Sequence, residues 1–520
     1  MTKSQMMTAD IDALLRARCS FLWIVTSEEA RVEGYLLEAA RLGSYFPRTW
    51  DAAQGVAELT GKVDTSIGSP DPGDTLRAIK ERSENGNERG LWIMRDLPAW
   101  TTGPAGVLTM RQLRNLARSL PETPLEKAQA IVVLSPSSEV PPELAAHATV
   151  MEWPLPDREE IGDILDDIAQ RYSLKITNGE REAAIDAAVG LSGEQAESCY
   201  SKSLVQTKKI DPAMVAAEKK RVISRLSGLE WIDPVPGGLD AIGGLDTLKV
   251  WLMSRSTAYT PAAREYGLPA PRGALLVGPP GTGKTYCAKC ASTAWGGIPL
   301  LKWDLNAMKG KFVGQSEQNF RAAIRIIEAI GRCVVLVDEI EKALAGATQG
   351  AADGGVSADA LGTLLSWMQD RKGDAFVIAT SNNADALPPE LLRKGRFDEV
   401  WFVDLPNANE RAAVLDATLR TFKRTIDVKD SIKVAAECVD FTGSEIAAIV
   451  PEAMFTAFND GKREPTAADL IEAAKNVVPL SKTASEKIKK LRAWAEEGRA
   501  RFASKPLQQA TERKIRRVEI

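Results

Sequence analysis

The chain has 520 residues, room for about three or four domains, and its 44% hydrophobic and 26% charged content is ordinary globular composition that excludes wholesale disorder. Its 66 basic and 70 acidic side chains leave a net charge of −4, which argues against a nucleic-acid coat or a basic membrane binder. A single histidine, His147, in the setting Leu144-Ala145-Ala146-His147-Ala148, excludes an HExxH zinc site and leaves any chemistry to carboxylates, Lys, Arg, backbone amides and a recruited metal.

Six cysteines are too few for a disulfide scaffold, no run approaches the ~18 apolar residues of a membrane span, and no secretory pattern opens the chain. These features predict a cytoplasmic protein without a membrane partner. Taken in order, Phe21–Val25 reads as a buried strand, followed by Thr26-Ser27-Glu28-Glu29-Ala30-Arg31. Leu91-Trp92-Ile93-Met94-Arg95-Asp96 and Ile131-Val132-Val133-Leu134-Ser135 read as further strands, the latter followed by Val140-Pro141-Pro142-Glu143-Leu144. A helix closes at Arg221–Leu226, Ser227-Gly228 stops it, and Asp233-Pro234-Val235-Pro236-Gly237-Gly238 has linker composition. A domain over 1–226 and a linker over 227–245 follow.

The second half is more explicit. The apolar run Gly273-Ala274-Leu275-Leu276-Val277 leads into Gly278-Pro279-Pro280-Gly281-Thr282-Gly283-Lys284-Thr285, with a helical pattern from Tyr286 to Trp295. This is GxxxxGK[ST] between a strand and a helix, where glycines let backbone amides surround a polyphosphate. Lys284 is expected at the β- and γ-phosphates and the Thr285 hydroxyl on Mg²⁺. Residues Gly278 to Tyr286 form the expected nucleotide-binding run. The strand Cys333–Val337 ends in Asp338-Glu339, a Walker B arrangement in which Asp338 holds Mg²⁺ through water and Glu339 polarises the attacking water. The strand Ala375–Thr380 leads to Ser381-Asn382, whose amide suits orientation of that water. Arg393 and Arg396, beside Gly395, suit a charge clamp on phosphate.

In this order the segments GPPGTGKT, VVLVDEIEKA, FVIATSNNADALPPELLRKGRFDEV and FTGSEIAAIV resemble the AAA clade of the AAA+ ATPases over about residues 237–480. The wording is closest to the Ycf-type AAA proteins of plastids and cyanobacteria, and that similarity extends to Thr26–Glu33. The resemblance implies an α/β fold: a P-loop module with a parallel sheet over 246–406, a helical lid over 407–480, and a ring, usually a homo-hexamer, hydrolysing ATP with Mg²⁺. It implies Asn382 as sensor 1, Arg393 and Arg396 as fingers offered to a neighbouring subunit, and Ile242, Gly243, Gly443 and Ser444 along the adenine. It also places Lys311, Phe312 and Val313 in a first pore loop that grips a protein substrate, with Gly346 to Val356 as a second. Two departures stand out: Ser381 precedes sensor 1 where Thr is usual, and Leu392 replaces a third arginine.

The first half repeats the second. PPEL recurs 247 residues apart, Gly193 and Gly443 are 250 apart, and Asp96 echoes Asp338 at an offset of 242. The chemistry is missing: Thr26–Arg31 offers no glycine or lysine, Leu97 follows Asp96, and Ala145-Ala146-His147 follows PPEL. Residues 1–226 are therefore expected to be a degenerate AAA+-like α/β module without a P-loop. The tail 481–520, with 12 basic and 5 acidic residues, reads as a solvated helix with a flexible end. An ATP-driven protein remodeller is the leading expectation and a nucleotide-gated scaffold that threads nothing the alternative; the acidic body argues against a nucleic-acid motor.

Overall fold

The computed structural model describes the chain except residues 59–60, 68, 225–227, 309–314, 344–355, 372, 394 and 506–520. The expected pore residues Lys311, Phe312 and Val313, and the second pore loop up to residue 355, lie outside the described residues. The chain divides into two compact units, Met1–Lys219 and Lys220–Ile520.

In the first unit β1 (Phe21–Val25), β2 (Phe46–Asp51), β3 (Gly55–Glu58), β4 (Gly90–Arg95), β5 (Gln129–Ser135) and β6 (Thr149–Glu152) form one sheet in the order β3-β2-β4-β5-β1-β6. All neighbours are parallel except β2 and β3. β1 and the interiors of β4 and β5 read as apolar runs because both faces of the central sheet are covered. Phe21, Trp23 and Val25 of β1 feed one core, Leu22 and Ile24 the other.

The second unit holds β7 (Leu229–Ile232), β8 (Gly273–Val277), β9 (Leu300–Trp303), β10 (Cys333–Val337), β11 (Ala375–Ser381), β12 (Glu399–Phe402) and β13 (Arg501–Phe502), in the order β13-β12-β8-β11-β10-β9-β7. Five strands of each sheet correspond: β6-β1-β5-β4-β2 repeats β12-β8-β11-β10-β9. A lid follows each sheet, opened by the helix Arg158–Arg171 in the first unit and Ala408–Thr421 in the second. The capping boxes Asp157/Glu160 and Ser192/Gln195 recur at Asn407/Glu410 and Thr442/Glu445, each 250 residues on.

Two expectations need correction. The linker of 227–245 contains β7, which pairs antiparallel with β9 and buries Leu229, so the Pro- and Gly-rich stretch after it misled the reading. The tail is not free as far as residue 505. Helix Ser485–Trp494 buries Ile488, Leu491 and Trp494, and β13 pairs with β12. The Ala503 carbonyl accepts the Thr247 and Leu248 amides at 3.1 Å.

Candidate nucleotide site

The turn after β8 is built for a close approach. Gly281 lies at φ +79°, a left-handed conformation that favours glycine, and a Cβ there would fall 2.2 Å from Ser444 Oγ. Gly283, at φ +90°, caps the helix Lys284–Ala294. Gly243 comes so near the lid helix that an added Cβ would sit 2.3 Å from the Val414 nitrogen. Between these elements lies a cavity of about 580 Å³.

Ile242, Gly243, Pro280, Gly281, Thr282, Gly283, Lys284, Thr285, Tyr286, Asp338, Glu339, Asn382, Gly443 and Ser444 all line it. Gly278 and Pro279 do not; their carbonyls accept the Lys284 ammonium at 2.8 and 2.6 Å. Burial pushes the Lys284 ammonium down to about 8, against the pull of the Glu341, Asp338 and Glu339 carboxylates. The negative charge of a polyphosphate would offset that penalty. Arg393, which is exposed, and Arg396, partly buried, do not line the cavity of their own chain.

The carboxylates are held by hydroxyls and amides. Asp338 Oδ1 accepts the Thr285 hydroxyl at 2.9 Å and the Thr380 hydroxyl at 2.5 Å. The Glu339 amide donates to Thr380 Oγ1 at 3.0 Å. Glu339 sits at φ +51°, a left-handed conformation that costs a non-glycine residue about 1–3 kcal/mol. Its Oε1 accepts the Asn382 side-chain amide at 3.0 Å and its Oε2 the Lys342 ammonium at 2.7 Å. The buried Glu341 accepts the Asn382 backbone amide at 3.0 Å. Hydroxyl and carboxylate oxygens at Thr285 and Asp338 are the hard donors that Mg²⁺ prefers.

Sequence reasoning missed Thr380, Glu341 and the lid residues Val414, Ala417, Thr418, Thr421 and Ala447. The signal for the lid was present: 414, 417, 418 and 421 form one stripe at helical spacing.

The family-model matches follow this geometry. The model "ATPase family associated with various cellular activities (AAA)" matches residues 274–405. The N-terminal and second domains of "SpoVK-like AAA ATPase" match 7–153 and 159–226. The "Uncharacterized AAA domain-containing protein ycf46" of Guillardia theta is 35% identical over 503 residues, 95% of this chain and 96% of that protein. The chain belongs to the AAA family of ATPases. An "ATP-dependent zinc metalloprotease FtsH" of Caldicellulosiruptor bescii is 34% identical over 245 residues, 45% of this chain and 39% of that protein. A "Proteasome-activating nucleotidase 2" of Haloferax volcanii is 34% identical over 208 residues, 39% and 50% respectively. This AAA protein hydrolyses ATP, and its AAA domain is preceded by an AAA-like one. Among the described residues no helix is long and apolar enough to cross a membrane.

The first unit shows how its counterpart site has been filled. Only Thr26, Ser27 and Glu28 separate β1 from the helix Glu29–Gly43, where six residues separate β8 from its helix. Glu29 to Arg31 are thus helical rather than loop. Glu28 is buried and accepts the Gly193 amide at 2.6 Å, at the start of the lid helix Gly193–Thr207. Arg31 forks onto Glu28 at 3.1 and 2.8 Å and reaches Glu160, Ser4 and the Pro154 carbonyl. Strand register also corrects the alignment of Asp96 with Asp338. Arg95 pairs with Leu134 and Val25 with Ser135, whereas Val337 pairs with Ala379 and Val277 with Ser381. Arg95 therefore stands at the Asp338 position and Asp96 at that of Glu339. The backbone agrees, with Asp96 at φ +50°.

Proposed function

We propose that this AAA ATPase works in the cytoplasm as a ring, a homo-hexamer, that remodels a protein substrate by drawing it through a central pore. The observation that carries the ring is the position of Arg393 and Arg396, outside the cavity of their own chain although their loop follows directly from Asn382. A neighbouring copy supplying them would complete the site. The printed name of the proteasome-activating relative supports a protein as the substrate. The zinc proteolysis in the FtsH name does not transfer, since these 520 residues contain no HExxH.

In this reading Lys284 and the backbone amides of 281–285 bind the polyphosphate. Ile242, Gly243, Gly443 and Ser444 flank the base. Thr285 and Asp338 would hold Mg²⁺, which when bound neutralises phosphate charge. Glu339 takes the proton of the attacking water, and Asn382 orients that carboxylate. Lys311, Phe312 and Val313, outside the described residues, are assigned in this reading to the loop that grips the substrate.

Phe312→Ala tests the threading. Substrate remodelling should be lost while ATPase is kept; a variant that still acts fully on its partner favours a nucleotide-gated scaffold. Capture of bound proteins by Glu339→Gln, which should hold ATP without turnover, identifies the substrate.

A further inference from the structure

We propose that Thr380 is a positioning residue for ATP hydrolysis, its hydroxyl setting the Asp338 and Glu339 carboxylates in register with one another. The inference rests on the assignment of those two residues made above. Thr380 is buried in β11, a strand whose other described residues from Ala375 to Ala379 are apolar. Its single hydroxyl proton goes to Asp338 Oδ1 and its oxygen accepts the Glu339 amide. One side chain thus fixes the carboxylate expected to face the cation and the left-handed peptide that aims the carboxylate expected to face the water. Thr285 also donates to Asp338, but the proposed function assigns its oxygen to the cation. Thr380 sits between β8 and β10 in a central strand, opposite Leu276, and cannot follow such a turn.

A buried hydroxyl could serve the fold alone. The first unit argues otherwise. By register, Leu134 holds the Thr380 position there, beside Arg95 and Asp96. Asp96 keeps the left-handed bend at φ +50° without any hydroxyl behind it. The same strand order and the same bend therefore form with leucine. The first unit lacks both the hydroxyl and the metal-facing carboxylate, as expected of a group that serves the chemistry.

The test compares full-length Thr380→Val, which keeps volume and branching, with Thr380→Ser, which keeps the hydroxyl. Two quantities are read: kcat, and the gain in affinity for a fluorescent ADP when Mg²⁺ replaces EDTA. Outer-shell partners of a metal site are typically worth 10–100-fold, so Thr380→Val should lower both kcat and the Mg²⁺-dependent gain by about tenfold or more. Its affinity in EDTA should stay near that of the parent, and Thr380→Ser should recover both losses. Parent-like kcat and Mg²⁺ gain in Thr380→Val, or equal losses in Val and Ser, overturn the proposal. If Thr380→Val binds no ADP even in EDTA, Thr380→Ser decides: parent-like values support the hydroxyl and reduced ones overturn it. Glu339→Gln, assayed alongside, separates the two levels. Full activity there removes the underlying assignment, whereas an inactive Glu339→Gln beside a parent-like Thr380→Val removes only this inference.

Discussion

The Asn382 side-chain amide meets Glu339 Oε1 at 3.0 Å, joining the tip of β11 to the residue after the Walker B aspartate. The same carboxylate is held on its other oxygen by Lys342. These two contacts fix the orientation of the carboxylate that the proposed mechanism uses as general base.

Glu339→Gln should therefore retain ATP binding and lose turnover by about 10²-fold or more, the usual span of general acid–base assistance. Asn382→Ala should lower kcat by a smaller factor with little change in nucleotide affinity. Substantial steady-state phosphate release by Glu339→Gln would contradict the role given to that carboxylate.

Gly243→Ala should weaken nucleotide binding more than it weakens folding. Its Cβ would collide with the backbone of the lid helix at Val414, and backbone cannot swing aside as a side chain can. The expected outcome is a higher Kd for ADP with a smaller fall in the melting temperature without ligand. An unchanged Kd would mean that the lid stands off from Gly243 when nucleotide is bound.

Arg393→Ala and Arg396→Ala should each depress ATPase strongly while the affinity of each copy for nucleotide stays close to the parent. A trans arginine can be worth about 10³–10⁵ in rate in related phosphoryl transfer. Mixing Lys284→Ala with Arg396→Ala copies should restore some turnover, because each supplies what the other lacks. Failure at every mixing ratio would leave shared sites without support.

Lys284→Ala in the full chain should abolish saturable nucleotide binding altogether. The prediction follows from the first unit's loop, which is three residues shorter, and from Glu28, which pairs with Arg31 and accepts the Gly193 amide at the start of the lid helix. Residual saturable ATP binding in the variant would show that the first unit is a nucleotide site. Arg31→Met should destabilise the first unit by about 3–5 kcal/mol, since it leaves Glu28 and Glu160 buried without their cation. Differential hydrogen exchange over 193–207 would register it.

Much of this arrangement is written in local patterns. Three central strands of the second unit, β8, β10 and β11, show as apolar runs because both faces are covered, and the phosphate loop shows because its glycines obey a backbone requirement. The cavity lining of Lys284, Asp338, Glu339 and Asn382 follows from those strand ends. Other features depend on contacts that spacing does not encode. β13 has two residues, too short for any periodicity, and exists because the β12 edge is open beside it. The equivalence of Arg95 with Asp338 is hidden in the sequence because the two strand-end aspartates invite an alignment one residue out of step. Thr380 carries no motif of its own, and its importance lies in what stands across from it on β10.

The Glu28 carboxylate that meets the Gly193 amide is part of the polypeptide. Its concentration at that helix end is fixed by covalent tethering, whereas the anion for the second cavity must be drawn from a pool that rises and falls with metabolism. A fall in cellular energy would exchange the occupant of one and leave the other untouched. One half of the chain is thereby blind to the energy state that the other half reads.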